Sequence, residues 1–576
     1  MTTASPEDNG SNCVSEADSS DVQNNVGWLL GQTAQQRPDQ LGIAFPLGRH
    51  PNGDRQYAMM SFRELDQDSD AIAAGLLASG IPVGTRVALL VPQSIEFVSL
   101  VFALFKAGMV QILIDPGMGR RNMIRCLSAA EPEAMVAIPA AHVIRCVLRH
   151  RFPKIAHSVT VGRRWGWGGP KLEELRRTSV EGAAVRPVKP DDPAAIIFTT
   201  GSTGPPKGVL YSHRNFQNQA FEIQRFYGIQ PGEIDLPGFP LFALFNGAMG
   251  VSTIIPDMDP TQPAKIDPEK FLETAHDFQV TQAFGSPALW NTVGRYCEKH
   301  GKRIPTLRRA LSAGAPVPPH VMKRVRSLMH PEGEMYTPYG ATEALPVASN
   351  SAAEVLNETQ HASQQGAGTC VGKRFNGIEW KVIEIDDGPL ETLAETRPVA
   401  QGEMGELIVK GPVVTRQYVT RTEANALHKI TDPDGGFWHR MGDVGYLDEQ
   451  DRFWFCGRKG HRLETREGRM LTVPCESIVN THPAIYRSAL VGLGAQPRQV
   501  PVIVAEPWPE HWPKTKQRRE RLLEEILELA QKHALTQSIE HVLLKQHLPV
   551  DIRHNSKIFR EKIAPWASKQ LGKMGH

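Results

Sequence analysis

The sequence predicts an α/β fold: a large N-terminal domain of α/β layers with a small β-rich part, followed by a small α+β domain. Three observations predict it. The chain has 576 residues, more than a single hydrophobic core commonly organises. From about residue 27 to about residue 400, apolar strand-like runs alternate with helix-length amphipathic segments, the pattern of parallel strands joined by crossover helices. Farther on, glycine-bounded stretches alternate apolar and polar residues, as short antiparallel strands do.

The elements follow in order. Residues 1–26 are rich in Ser, Asp and Asn and lack a basic then apolar stretch; they read as a disordered leader without a secretory signal. "YAMMSFRELDQDSDAIAAGLLASGI" (57–81) predicts a strand, then an amphipathic helix ending near Gly80. "RVALLVPQSIEFVSLVFALFKAGMVQILID" (86–115) predicts strand, helix, strand. Its apolar run from Val98 to Ile114 is broken by Lys106 and Gly108 and reads as buried core, not a membrane span. "AMVAIP", "PAAIIFTTG", "VTQAFGSPALWNTVGRY" (280–296) and "LRRALSAGAPVPPHVMKRVRSL" (307–328) continue the alternation. "GEMGELIVKGP" and "DVGYLDEQDRFWFCGR" predict antiparallel strands. In "KQRRERLLEEILELAQKHAL" (516–535) a Leu/Ile stripe under a charged face predicts a surface helix of the last domain. The polar, glycine-punctuated "GRKGHRLE" marks the boundary: one domain over 27–457, a hinge over 458–461, another domain over 462–576.

Composition narrows the class. Forty-one per cent hydrophobic residues fit a globular enzyme, and a formal net charge of +2 argues against a nucleic-acid binder with a basic surface. The seven cysteines are scattered, odd in number and without metal spacing, which fits a reducing compartment; the expected location is cytoplasmic.

"TTGSTGPPKGV" (199–209) follows an apolar strand. A Gly/Ser/Thr loop offers backbone N–H groups and hydroxyls to a polyphosphate, and Lys207 adds a compact cation. It is not a Walker A loop, because Lys207 is followed by Gly208. In "YTPYGATEA" (336–344), Tyr339 can stack on a purine and Glu343 is a hard oxygen ligand for Mg²⁺. "SAGAPV" (312–317) offers small residues against which a flat base could lie. Asp443 in "MGDVGYLD" can hold a pair of ribose hydroxyls, Arg458 follows in "GRKG", and Lys557 lies in "DIRHNSKIFREKI". Taken singly, Asp443 could cap a turn, Glu343 could be a surface charge and Lys557 an exposed lysine.

In this order, "TTGSTGPPKG", "YGATE", "GD" before "GYLDEQDRFWFCGR", and a C-terminal lysine resemble the adenylate-forming enzymes, the superfamily of acyl-CoA synthetases, luciferases and peptide-synthetase adenylation domains. The resemblance covers nearly the whole chain after the leader. It implies ATP and Mg²⁺ as cofactors, an acyl-adenylate intermediate, an N-terminal ATP- and acyl-binding domain and a mobile C-terminal lid. It assigns Thr199, Thr200, Gly201, Ser202, Thr203, Gly204 and Lys207 to the phosphates. It assigns Gly314, Ala315, Pro316 and Tyr339, with Gly340, Ala341 and Thr342, to the adenine side, and Asp443 and Arg458 to ribose. Glu343 becomes the metal ligand, and Lys557, Lys207, Thr200 and Glu343 the catalytic set, with Lys557 stabilising charge as a carboxylate oxygen attacks the α-phosphorus.

Four departures stand out. Phe242 and Ala243 occupy the loop where coenzyme A-using members carry a histidine. Gly460 stands at a hinge position usually Asp or Lys, Glu467-Gly468 replaces a Gly-Gly or Lys-Gly pair, and Asn555-Ser556 precedes Lys557 in place of Ser-Gly. The first two count against thioester formation. "DLPGFPLFALF", "IIPDMDPTQPAKIDPEK", "FGSPALW" and "VGRRWGWGG" resemble a narrower group, the β-lactone synthetases of bacterial long-chain olefin biosynthesis. That resemblance implies a long-chain 2-alkyl-3-hydroxy fatty acid as substrate, internal attack of the 3-hydroxyl on the adenylated carbonyl, and release of AMP. It also implies association with the pathway's β-lactone decarboxylase (a hydrolase relative), reductase and thiolase-like enzyme. The second expectation is a long-chain fatty acyl-CoA ligase. A non-catalytic nucleotide-binding scaffold is the third, opposed by the presence of Lys207, Glu343, Asp443 and Lys557 together.

Overall fold

The computed structural model describes residues 21–178, 185–199, 205–239, 243–551 and 557–574. Among these, strands form four sheets, of fourteen, six, three and two strands. In the six-stranded sheet, His157–Thr160, Ala134–Ala137, Arg86–Leu90, Val110–Leu113 and Pro193–Phe198 run parallel, and Gly208–Ser212 closes one edge antiparallel. The alternation read from the sequence is therefore a doubly covered parallel sheet. The Ile95–Lys106 helix is buried along its whole length. Its Lys106 tolerates burial because the ammonium donates to Asp66 at 2.5 Å and Asp70 at 2.6 Å.

The large sheet has a parallel block, Ile234–Pro237, Gln282–Gly285, Arg309–Ser312 and Glu334–Ala341. Beyond it the order changes sooner than the expected residue 400. Ala344–Ser351 already pairs antiparallel with Glu334–Ala341, because the chain reverses at Thr342-Glu343. Gly405–Lys410, Phe437–Leu447 and Arg452–Arg458 extend the sheet as expected antiparallel strands. That sheet ends with Arg458; from Leu463 on, the strands pair only among themselves. The expected charged helix is Lys516–Gln531, with Leu522, Ile526 and Ala530 buried.

Residues 21–26, expected within the leader, lie among the described residues. Asn25 is fully buried, caps the Val26–Gln36 helix and donates from its amide to the carbonyls of Phe105 and Arg186 at 2.7 and 3.0 Å. Residues 1–20 lie outside the described residues.

The "FGSPALW" segment shows how local sequence sets the frame of the site. Gly285 ends a strand, Ser286 caps the next helix by accepting from Leu289 N at 3.2 Å, and Pro287 opens it. Trp290, fully buried, donates to the Leu311 carbonyl at 3.0 Å and so ties this helix to the neighbouring strand. Trp290→Ala is expected to destabilise the fold by about 3–5 kcal/mol, from the cavity and the orphaned carbonyl, read as a lowered denaturant midpoint.

Candidate active site

The parallel strands of both sheets deliver their C-terminal ends to one cavity of about 2420 Å³, lined among others by Leu90, Leu113, Phe198, Ser286 and Ala313. Ligands settle at such ends because loop amides and helix N-termini converge there.

Lys207 stands where the Gly/Ser/Thr loop enters the Gly208–Ser212 strand. Thr199 and Lys207 close the base of that loop: Thr199 N donates to the Lys207 carbonyl at 3.0 Å, and Lys207 N donates to Thr199 Oγ1 at 3.1 Å. Thr200, Gly201, Ser202, Thr203 and Gly204 lie outside the described residues, as do Phe242, Asn555 and Ser556. The Lys207 ammonium lies 3.2 Å from His428 Nε2, 4.0 Å from Glu343 Oε1 and 4.4 Å from the centre of the Tyr418 ring. Burial first, then Lys207, holds the His428 imidazole down at about 4, so it is neutral. Its Nδ1 lies 3.4 Å from the Arg440 carbonyl, which leaves Nε2 free to accept from Lys207.

Glu343 sits on the reversal between two strands. Its backbone carbonyl accepts from Thr415 N at 2.9 Å, and its Oε1 accepts from the Tyr418 hydroxyl at 2.6 Å. Burial pushes its pKa up, but the Tyr418 hydrogen bond, Lys207 and Lys429 outweigh that and keep the carboxyl below its ordinary range. Lys429 is half-buried, donates to the Thr415 carbonyl and lies 5.9 Å from the centre of the Tyr418 ring. Burial lowers its ammonium to about 7.

Asp443 and Arg458 face each other across an antiparallel pair. Arg458 donates to Asp443 Oδ1 at 2.6 Å and to the Met441 carbonyl at 3.0 Å, and the Tyr339 hydroxyl donates to Asp443 Oδ2 at 2.5 Å. Both carboxylate oxygens are thereby fixed. Gly314, Ala315, Pro316, Tyr339, Gly340, Ala341 and Thr342 line the same cavity. Gly314 has φ 93°, a left-handed conformation that favours glycine. A Cβ on Gly340 would meet the Ala344 carbonyl at 2.6 Å.

Lys557 comes from the far end of the chain and lines this cavity too. Its segment is held by Asp551 N donating to the Lys557 carbonyl at 3.0 Å. Burial and then Arg458 lower the Lys557 ammonium to about 8, against Asp551, Asp443 and Glu343.

The structure thus brings Thr199, Lys207, Glu343, Tyr339, Asp443, Arg458, Lys557 and the 314–316 loop to one cavity. The sequence reading missed Tyr418, His428 and Lys429. These residues carry no motif; Lys429 opens the strand Lys429–Thr431, which pairs with Phe437–Leu447, and His428 directly precedes it. "FPLFALF" and "FGSPALW" contribute Phe239, Leu244, Phe245, Phe284 and Ser286 to the wall, whereas Leu289 and Trp290 are core. Among the described residues, no cluster of three or more His, Cys, Asp or Glu is placed to hold a metal. No helix among them is long and apolar enough to cross a membrane.

A cavity at the strand ends of two sheets, with one carboxylate near a lysine and another pinned by an arginine, suits a nucleotide-dependent enzyme. Residues 30–419 match the family model described as AMP-binding enzyme, and the chain belongs to that family. It is 46% identical over 561 residues to the olefin beta-lactone synthetase of Stenotrophomonas maltophilia, covering 95% of this chain and 99% of that one. The olefin beta-lactone synthetase of Xanthomonas campestris pv. campestris is 45% identical over 552 residues, covering 95% and 98%. The solved amide bond synthetase McbA from Marinactinospora thermotolerans superposes with a TM-score of 0.75 at 19% identity, covering 94% of this chain and 99% of that one. This last likeness shows the fold, that of adenylate-forming enzymes.

The lowered lysines generate a test. An arriving polyanion favours the charged ammonium and raises pKa. With Lys429 at about 7 and Lys557 at about 8, nucleotide binding near pH 8 is expected to take up protons. Calorimetry in buffers of different ionisation enthalpy measures this uptake, and Lys557→Ala is expected to lose part of it.

Proposed function

We propose that this enzyme is an ATP-dependent β-lactone synthetase acting on a long-chain 2-alkyl-3-hydroxy fatty acid. The observation that carries the reading is the 46% identity to an olefin beta-lactone synthetase over 95% of the chain. The site geometry supports it. Lys207, Arg458 and Lys557 line one cavity, with Lys429 nearby on the Tyr418 ring; burial first, and neighbouring cations after it, lower the proton affinity of the three lysines. A triphosphate relieves the repulsion among those cations.

In this reading the 199–204 loop and Lys207 hold the β- and γ-phosphates. Gly314, Ala315, Pro316 and Tyr339 face adenine, and Asp443 takes ribose hydroxyls with Arg458 orienting it. Mg²⁺ fits as an ion that arrives with the phosphates, because the described residues offer it Glu343 as a hard ligand and, among them, no all-protein cage. When bound, it neutralises phosphate charge. The substrate carboxylate oxygen attacks the α-phosphorus, the bond to the β-phosphate oxygen breaks and pyrophosphate leaves. Lys557 stabilises the charge that builds on the α-phosphoryl oxygens. The 3-hydroxyl oxygen then attacks the acyl carbon and loses its proton. The acyl–phosphate C–O bond breaks, and a four-membered lactone and AMP result. The mixed anhydride supplies the driving force for the strained ring, and intramolecular positioning replaces a second encounter.

Residues 27–457 and 462–576 are two domains in this reading, meeting at the hinge 458–461. Gly460 has open space where a Cβ would stand. Lys459 donates to Glu406 at 3.0 Å and the Asp386 carbonyl at 2.8 Å, and Arg462 pairs with Asp387 at 2.5 Å. These contacts tie the hinge to residues 386, 387 and 406 of the first domain. The enzyme works in the cytoplasm with the β-lactone decarboxylase, reductase and thiolase-like enzyme of an olefin pathway. Its buried cysteines 126, 297, 370, 456 and 475 are unbridged, as a reducing compartment keeps them.

A single assay separates this reading from a long-chain acyl-CoA ligase. With ATP, Mg²⁺ and a long-chain 2-alkyl-3-hydroxy acid, lactone and AMP are expected without coenzyme A. The matching acid without the 3-hydroxyl should give no lactone. Thioester formation dependent on coenzyme A would replace this reading with the ligase.

A further inference from the structure

From Ala134 to Leu172 the chain has no acidic residue, yet it carries five arginines and two lysines. Within a chain of net charge +2 this is a local excess of seven. The run builds the free edge of the six-stranded sheet: strands Ala134–Ala137 and His157–Thr160, the helix Pro139–Val147 and the "VGRRWGWGG" loop.

Large apolar side chains are exposed on the same edge. Val143 and Ile144 are 39% exposed, Val147 72% and Trp165 58%. The loop is pinned to the helix: Trp167 stacks on His142 with ring centres 5.2 Å apart and donates to Thr160 Oγ1 at 2.8 Å. Trp165, whose ring centre lies 5.9 Å from that of Trp167, is left at the surface. Lys154 is paired with Glu131 at 2.9 Å, and Arg164 lies 3.6 Å from Glu174. Glu133 accepts from the backbone of Arg86. Arg149, Arg151 and Arg163 are exposed and have no carboxylate within 4.0 Å among the described residues.

This patch adjoins the cavity. Ala140, Ala141 and Ile144 of the helix line it, with Met118 and Met123 beside them, so Ile144 belongs both to the wall and to the outer surface. Aliphatic residues and tryptophan flanked by arginines are the combination that settles at the headgroup level of a bilayer. Unpaired cations there are drawn to anionic lipid. A long-chain acid resides in lipid far more than in water.

We propose that this edge, with Val143, Val147, Trp165, Arg149, Arg151 and Arg163, docks on an anionic phospholipid surface and turns the cavity rim toward it. The lipid-borne cargo rests on the function proposed above; the docking itself does not.

The test is co-sedimentation of the full chain with phosphatidylglycerol–phosphatidylcholine vesicles, against phosphatidylcholine alone. Binding to the anionic vesicles is expected, weakening with added salt. The pairs Arg149→Gln with Arg163→Gln, and Val147→Ser with Trp165→Ser, are each expected to weaken it about tenfold or more. A control pair on the C-terminal domain, Lys514→Gln with Arg518→Gln, should leave it unchanged. Both patch variants should still turn over detergent-dispersed substrate, which separates a failure of docking from a failure of the catalytic reading. Absence of vesicle binding, or equal binding by the patch variants, overturns the proposal.

Discussion

The Glu343 carboxylate, buried against Lys207, Lys429 and the Tyr418 hydroxyl, is the interaction around which the cavity is arranged. A lone carboxylate taken out of water is costly, and it stays ionised here because a hydrogen bond and two ammonium groups favour the charged form. Lys207 also leans on a neutral His428, and burial, with neighbouring cations behind it, holds Lys429 and Lys557 at depressed proton affinity. A site with this set of cations is built for a polyanion. Its groups are already oriented before one arrives, which is the source of electrostatic catalysis.

The other half of the cavity follows from strand register. Asp443 and Arg458 are partners across one antiparallel pair, and Tyr339 reaches Asp443 from another strand of the same sheet. Three strands therefore fix one carboxylate without any loop needing to be rigid. The glycine at 314 and the reversal at Thr342-Glu343 bring backbone close to the same space. Lys557 is the one charged group of the predicted set that belongs to the last segment of the chain, and its position makes the site depend on how that segment packs.

The alternation of strands and helices up to Glu334 was legible because buried parallel strands and amphipathic helices leave different periods in the sequence. The antiparallel strands after Gly405 were legible for the same reason. The early turn to antiparallel order at Ala344 was not, because its cause is one reversal within "YGATEA" and not a periodic signal. The ordered place of Asn25 was not legible because the residue is polar, and its burial depends on carbonyls of residues 105 and 186. Lys207, Glu343, Asp443, Arg458 and Lys557 could be named because each stands in a recognisable motif. Tyr418, His428 and Lys429 could not, since their role comes from which strands are neighbours, and sequence spacing carries no trace of that.

The central claim is that the substrate carboxylate, not its hydroxyl, is activated in this cavity. Mass spectrometry on products from an acid with both carboxylate oxygens replaced by ¹⁸O tests it most directly. The account predicts one heavy oxygen in AMP and one in the lactone carbonyl, with an unlabelled ring oxygen. Unlabelled AMP together with a lactone that keeps both heavy oxygens would contradict it.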